Sequence, residues 1–337
     1  AQVWFQKPAA GQGRDPGALP NGRGRQGRRG AVRKQNMKIS VIVPIYNMEN
    51  FIARTISCLK AQDEPNLEFL LVNDGSTDST LSLMQEMCAG DARFHIFTTE
   101  NKGYGHACNF GIRQAAGDFF AIFEPDDHIT HDFYSNLRQI AEHYIQADII
   151  RYNGIYRHEN GTSRILYHWE QDFTGRILDK FALKRFWRSH PSVFNGIYRK
   201  SFILQKSVFF CETPSASFQD AMFMVSLFYS NPSIYIINDI KYTYTMHNMQ
   251  STKFVNDKID FVINAWNIEA DWISSNGFID YDFFLYKVFI QMNSLIKKVS
   301  SENKDKLIRN FKRLNKGKIY LSTNIPTIKQ KIQYALV

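Results

Sequence analysis

Among its 337 residues the sequence has no apolar run near the roughly 18 residues that a bilayer-spanning helix requires; the longest are stretches such as residues 221–229. A membrane-spanning protein is therefore not expected. Its four cysteines, Cys58, Cys88, Cys108 and Cys211, are far apart and form no C-x-x-C pair, which argues against a disulfide frame or a zinc ribbon. Each has apolar neighbours, so free, mostly buried thiols in a reducing compartment are expected, and with them a cytoplasmic location. Residues 1–36 lack the apolar segment of a secretory signal. Heptads and collagen-like repeats are missing as well, and 44% hydrophobic with 22% charged residues is an ordinary globular balance.

Acidic residues fall short of basic ones, leaving a net charge of +9, but the excess sits at the two ends. Residues 1–36 carry +7 and residues 297–337 carry +9, so the body between them, 37–296, is at −7. An acidic body repels phosphate polymers where a binding groove would lie, so nucleic acid is not an expected partner. The first 36 residues also hold seven of the 19 glycines and three of the 10 prolines, without a period of 2 or 3.6. They read as a disordered basic leader, with Met37 resembling a natural start.

Aromatic residues are abundant, at 14%, with 27 Phe and 16 Tyr, and favour β-structure and stacking surfaces. From Met37 onward strand and helix patterns alternate. Strands are expected at 39–45, 68–72, 94–97, 118–123 and 147–152, with helices at 51–60, 78–88, 106–115 and 131–145. Strands separated by such helices require right-handed crossovers and a mostly parallel sheet with helices on both faces, an α/β, Rossmann-like architecture. In open sheets of this kind ligands bind beyond the carboxyl ends of the strands, which makes the strand ends the place to look for chemistry.

Those ends read V-P-I-Y-N at 43–47, N-D-G-S-T-D at 73–78, N-K-G-Y-G-H at 101–106 and E-P-D-D at 124–127. In this order and at these separations the motifs resemble those of the family 2 glycosyltransferases, over about residues 38–250. The resemblance implies a GT-A fold, with a catalytic domain at 37–255 divided into a nucleotide-binding half, 37–150, and an acceptor half, 151–255. A basic, helical C-terminal extension follows at 256–337.

Residue by residue, Pro44, Tyr46 and Asn47 leave the first strand, and Tyr46 offers a flat face on which a uracil ring can stack, for about 1–3 kcal/mol by analogy with base stacking. Asp74, acceptor-only when ionised, suits a uracil N–H or a ribose hydroxyl. Gly75, Ser76 and Asp78 fit a turn and helix cap equally well. The glycine-rich stretch containing Lys102, Gly103 and His106 does not follow the first strand, which weakens a Rossmann dinucleotide reading. Where the family often has Ala-Arg-Asn, this chain has Ala107, Cys108 and Asn109, so Lys102 or His106 is expected to supply charge to the pyrophosphate.

Glu124, Asp126 and Asp127 occupy the place of the family's D-x-D motif, with Glu in place of the first Asp. Clustered carboxylates repel one another, and a divalent cation, Mn²⁺ or Mg²⁺, compensates them. Asp126 is expected as the main metal ligand, Asp127 as an assistant and Glu124 toward the ribose or a metal-bound water. The rival reading is a helix cap. His247, at the end of a strand-like alternation, is a candidate third metal ligand, with Ser251 nearby.

Asp220 follows Gln219 where the family commonly has E-D, and an inverting transfer needs a carboxylate that takes the proton of the acceptor hydroxyl. A plain N-cap is the alternative. The resemblance further implies a UDP-sugar donor, a hexose as the transferred group, and a lipid-linked, lipooligosaccharide or capsule glycan as acceptor. The sequence has no Q-x-x-R-W element, which argues against a processive synthase. Over 257–337 apolar residues recur at helical spacing, which core-covering helices explain; the basic residues around Phe311, Leu314, Ile319 and Tyr320 additionally suggest an amphipathic segment on the inner membrane leaflet. Two other classes compete: a nucleotidyltransferase of sugar phosphates, which would place a basic glycine-rich loop after the first strand, and a nucleic-acid-binding protein using the basic ends.

Overall fold

The computed structural model describes residues 37–315 apart from 160, 169–172, 180–181, 184–185, 187–191, 215–218, 247–255 and 279–280. The proposed leader, His247, Ser251 and the basic segment beyond 315 lie outside the described residues.

The chain begins with four strand–helix units: β1 (Ile39–Ile45), α1 (Ile52–Lys60), β2 (Leu67–Asn73), α2 (Thr80–Cys88), β3 (Phe94–Thr98), α3 (Tyr104–Gln114), β4 (Phe119–Ile122), β5 (His128–Ile129) and α4 (Phe133–His143). It continues through β6 (Ile149–Tyr152), β7 (Ile155–Glu159), β8 (Thr162–Tyr167), β9 (Gly196–Arg199), α5 (Lys200–Gln205), α6 (Gln219–Ser230), β10 (Ile234–Ile237) and β11 (Tyr242–Thr245). Three helices follow: α7 (Ile259–Ser275), α8 (Asp282–Leu295) and α9 (Ser301–Asn315).

All seven residues of β1 and of β2 are buried. Successive side chains of a strand point to opposite faces, so both faces of the sheet are covered there, as β-branched runs without polar alternation require. The main sheet has the order β10-β6-β9-β4-β1-β2-β3. β1 pairs in parallel with β2 and β4, β2 with β3, and β6 with β10.

The exception to the parallel pattern is β9, which lies antiparallel between β4 and β6. It enters a space that admits no side chain at its first position: a Cβ on Gly196 would stand 2.4 Å from the Cβ of Arg151. A smaller sheet, β5-β11-β7-β8, is built from chain that has just left the main sheet, since β4 leads into β5, β6 into β7 and β10 into β11. β7 and β8 pair antiparallel, and Gly161, just before β8, takes a left-handed φ of 79°.

Two apolar cores result. The larger fills the sheet and its helices, and the second joins Cys211, Ala221, Met222 and Val225 to α7, α8 and α9 around the fully buried Trp266. The second core is what the expectation of core-covering C-terminal helices requires, and it leaves Phe311 and Leu314 unavailable to a lipid surface, while Ile319 and Tyr320 lie outside the described residues. Phe311 is buried with its ring 5.9 Å from that of Phe289, and Leu314 packs on the same cluster, so the apolar side of α9 is used within the protein. Among the described residues no helix is long and apolar enough to cross a membrane, and all four cysteines are free and buried.

Candidate active site

Register brings the strand ends together: Ile45 lies opposite Asn73, and Asn73 opposite Thr98, with β4 on the other side of β1. The motif segments therefore leave the sheet along one edge.

The ends of β1 and β2 are clasped. The backbone N–H of Asn47 donates to Ser76 Oγ at 3.0 Å, and Asn47 Oδ1 accepts the Thr77 N–H at 2.9 Å. Asn47 takes a left-handed φ of 52° to do so. Pro44 is buried in the strand, whereas Tyr46 is 44% exposed beside the clasp, an aromatic face open to a ligand. Asp78 accepts the Thr80 N–H at 3.0 Å at the start of α2, so it acts as a cap.

Asp74 is buried and well supplied with donors. Its oxygens accept the N–H groups of Lys102 at 3.0 Å and Gly103 at 2.7 Å and the Thr99 hydroxyl at 3.2 Å, which fixes the loop before α3. Lys102 itself is exposed, with its ammonium 3.4 Å from Glu100. His106, in the first turn of α3, directs Nδ1 to 3.9 Å from Asp74 Oδ1, and this buried nitrogen has no hydrogen-bond partner among the described residues.

Across the edge, Glu124 accepts the Tyr104 hydroxyl at 2.6 Å. Burial first, then the charges of Asp126 and Asp220, push its carboxyl up to about 8, against the pull of that hydrogen bond. Asp126 is half-buried. Asp127 turns the other way: it is buried, Oδ2 accepts the Tyr242 hydroxyl at 2.6 Å and Oδ1 accepts the Thr245 N–H at 2.8 Å. This differs from the expected assisting ligand, because both oxygens tie the acidic turn to β11.

Asp220 stands in the first turn of α6, where its Oδ1 accepts the neighbouring Ala221 N–H at 2.8 Å. Burial pushes its carboxyl up to about 6, close to the working pH of a general base. Its charge acts on Glu124, Tyr104 and Tyr244, so residues 96 positions apart in sequence share one electrostatic site.

Sequence reasoning missed the braces that set this geometry. Gln219 is fully buried; its Nε2 donates to the Thr213 carbonyl at 3.0 Å while its Oε1 accepts the Gly105 N–H at 2.7 Å. A Cβ at residue 105 would fall 2.0 Å from the Cys211 carbonyl oxygen, so glycine permits the contact. Asn109 repeats the device, donating to the Phe210 carbonyl and Glu212 and accepting the Phe210 N–H, each at 2.9 Å. The signal was available: both are amides adjoining a motif, at the Ala-Cys-Asn triplet and at the residue before Asp220.

Residues 40–228 match the model described as Glycosyl transferase family 2. The chain belongs to that family. Among similar proteins, GlyG of Streptococcus pneumoniae is 28% identical over 61% of this chain and 70% of its own length, and the uncharacterized glycosyltransferase EpsJ of Bacillus subtilis is 27% identical over 61% and 60%. GlyA of Streptococcus pneumoniae is 36% identical over 33% of this chain, which spans 16% of GlyA. The fold is also that of Staphylococcus aureus TarS residues 1–349, solved in complex with UDP-GlcNAc, with a TM-score of 0.66 at 20% identity over 82% of this chain and 80% of that one. The expected GT-A architecture is thus the one observed, and membership of a glycosyltransferase family sets aside the nucleotidyltransferase reading.

Proposed function

We propose that the protein is an inverting, metal-dependent hexosyltransferase that moves a sugar from a UDP-sugar to a hydroxyl of a lipid-linked, lipooligosaccharide or capsule glycan. The observation that carries this reading is that the start of α6, which bears Asp220, and the acidic turn are tied to consecutive residues of α3: Gln219 Oε1 accepts the Gly105 N–H at 2.7 Å and Glu124 accepts the Tyr104 hydroxyl at 2.6 Å. TarS, which has the same fold, binds UDP-GlcNAc.

In this reading Tyr46 stacks on the uracil, and Asp74 presents the rest of its acceptor capacity to the nucleoside while holding the loop at 99–103. The unpartnered Nδ1 of His106 is a ready contact for the donor's polar groups. Asp126, with Glu124 beside it, would hold a divalent cation. Among the described residues no three metal-binding side chains converge, which suits a Mg²⁺ or Mn²⁺ site completed by diphosphate and water. Such a cation supplies Lewis-acid neutralisation of the departing diphosphate. His247 is retained as a further ligand, and Asp127 orients the turn.

Asp220 takes the proton of the acceptor hydroxyl as its oxygen forms a bond to the anomeric carbon. The bond from that carbon to the nucleoside diphosphate breaks on the opposite side, and the electron pair leaves with the phosphate oxygen. The configuration inverts because attack and departure lie on opposite faces. The exposed basic side chains of α9 and the charged chain ends give peripheral attachment to the inner membrane face, through charge rather than inserted apolar groups.

Screening UDP-sugars for Mn²⁺-dependent release of UDP, with water or a simple glycan acceptor, tests the reading. One donor should stand out and a chelator should abolish its turnover. Equal inactivity with every UDP-sugar in the presence of Mn²⁺ would sink it.

A further inference from the structure

The turn that carries Glu124, Asp126 and Asp127 lies in an irregular stretch, for between β4 and α4 the chain makes only the two-residue β5. Such a stretch cannot satisfy its own carbonyls, and buried ones need donors from elsewhere. They come from α1, a helix outside the motif segments at the strand ends. Thr55 and Cys58 share a face of α1, and Gln62 continues it just past the last turn, at spacings of three and four residues. The Thr55 hydroxyl donates to the Pro125 carbonyl, the Cys58 thiol to the Ile129 carbonyl at 3.6 Å and the Gln62 amide to the Thr130 carbonyl at 3.0 Å. Beside them the Arg54 guanidinium donates to the Asp126 carbonyl at 2.5 Å, and the Asp63 N–H to the His131 carbonyl at 3.1 Å. Residues 125–131 thus run alongside 54–63 in the same direction, held carbonyl by carbonyl.

Thr55 is fully buried, and its hydroxyl has one proton with two carbonyls in reach, those of Pro125 and, at 3.0 Å, Phe51. The Phe51 carbonyl already accepts the Thr55 N–H at 3.0 Å, so the hydroxyl proton serves Pro125. On its other side the turn is tied to β11 through both oxygens of Asp127. Held from two sides, the turn fixes where the Glu124 and Asp126 carboxyls stand. A cation bound by few protein groups depends on such support, because side chains already in place need no reordering when the ion arrives.

We infer that Thr55 and Arg54 are positioning residues for cation binding, acting through the carbonyls of Pro125 and Asp126 rather than by touching the ion or the sugar nucleotide. The inference rests on the reading of Glu124 and Asp126 as the cation site.

Uptake of Mn²⁺ by the full chain in the presence of UDP, followed by the electron paramagnetic resonance signal of the free ion, tests this without turnover. Thr55→Val keeps the shape and removes the hydroxyl, whereas Thr55→Ser keeps the hydroxyl. The Mn²⁺ Kd should rise about tenfold in Thr55→Val, the lower end for groups that orient metal ligands, and stay within about twofold of wild type in Thr55→Ser. In turnover the loss should fall on KM for Mn²⁺ more than on kcat. Arg54 is exposed, so Arg54→Met spares the core. Losing a nearby positive charge would by itself tighten Mn²⁺ binding, so weaker binding in Arg54→Met reports position.

Wild-type affinity in folded Thr55→Val, or equal weakening in Thr55→Val and Thr55→Ser, overturns the inference and leaves the cation reading standing. Should Thr55→Val show no cooperative thermal melt, Arg54→Met decides, and unchanged or tighter binding there overturns it. Wild-type protein that takes up no Mn²⁺ with UDP, or whose uptake survives Asp126→Asn, refutes the cation reading and this inference with it.

Discussion

On the β2–β3 side of the cleft Asp74 accepts two backbone N–H groups, at 3.0 and 2.7 Å, and the Thr99 hydroxyl at 3.2 Å. On the opposite wall Asp220 accepts the N–H of its own neighbour, and Glu124 the hydroxyl of Tyr104, while burial pushes their carboxyls up to about 6 and about 8. The two walls hold the same kind of group in different states of readiness. Asp74 spends its acceptors on the backbone before α3, whereas a carboxyl that is desolvated with few donors gains from accepting a proton or facing a cation. Asp127, beside Asp126 in sequence, also gives both oxygens to the protein, yet burial first and then the charge of Asp126 push its carboxyl well above the ordinary range.

Substitutions on the two walls should therefore fail in opposite ways. Asp220→Asn keeps shape and accepts the same N–H, so the fold should hold while turnover drops about 10²–10⁴-fold, the usual contribution of a general base. Steady-state UDP release together with a thermal melt checks both halves. Asp74→Ala reverses the pattern. Deleting the acceptor of the buried Gly103 N–H should cost about 1–3 kcal/mol of stability in urea unfolding. Stability lost in Asp220→Asn and kept in Asp74→Ala would break the comparison.

How much of this was legible depends on the range of the contacts involved. β1 was bounded at Ile39–Ile45 because a fully buried parallel strand is a continuous apolar run, and each motif follows such a run directly. β9 was not legible: its partners, β4 and β6, precede it by more than 40 positions, and four residues carry no periodicity of their own. The two-residue β5 escaped for the same reason. At the site, the acids of the 124–127 turn were visible as a cluster, but the reversal of Asp127 toward Tyr242 and Thr245 depends on a pairing 115 residues away. The apolar face of α9 was recognised from its spacing as core-covering, which the second core bears out, but spacing did not show which helices it covers.

The smallest effect expected sharpens the comparison at its boundary, where Gln219 replaces the Glu that commonly precedes the base. Its amide donates to the Thr213 carbonyl and accepts the Gly105 N–H, a pairing that requires one donor and one acceptor at the same site. In Gln219→Glu the Thr213 hydroxyl can turn and donate, but the Thr213 carbonyl cannot, so an ionised carboxylate at this position would oppose it. The variant carboxyl would then have a folded pKa above the ordinary value near 4.3. An acid raised in the folded state supports stability at low pH and loses that support as pH rises past its unfolded value. Gln219→Glu should thus match the wild type near pH 4 and fall behind by about 1–2 kcal/mol by pH 8, as expected for one compromised buried hydrogen bond. Urea midpoints at the two pH values measure the difference. A constant offset would mean that the carboxylate finds other donors, and that the amide is not what couples the loop before α3 to the helix bearing Asp220.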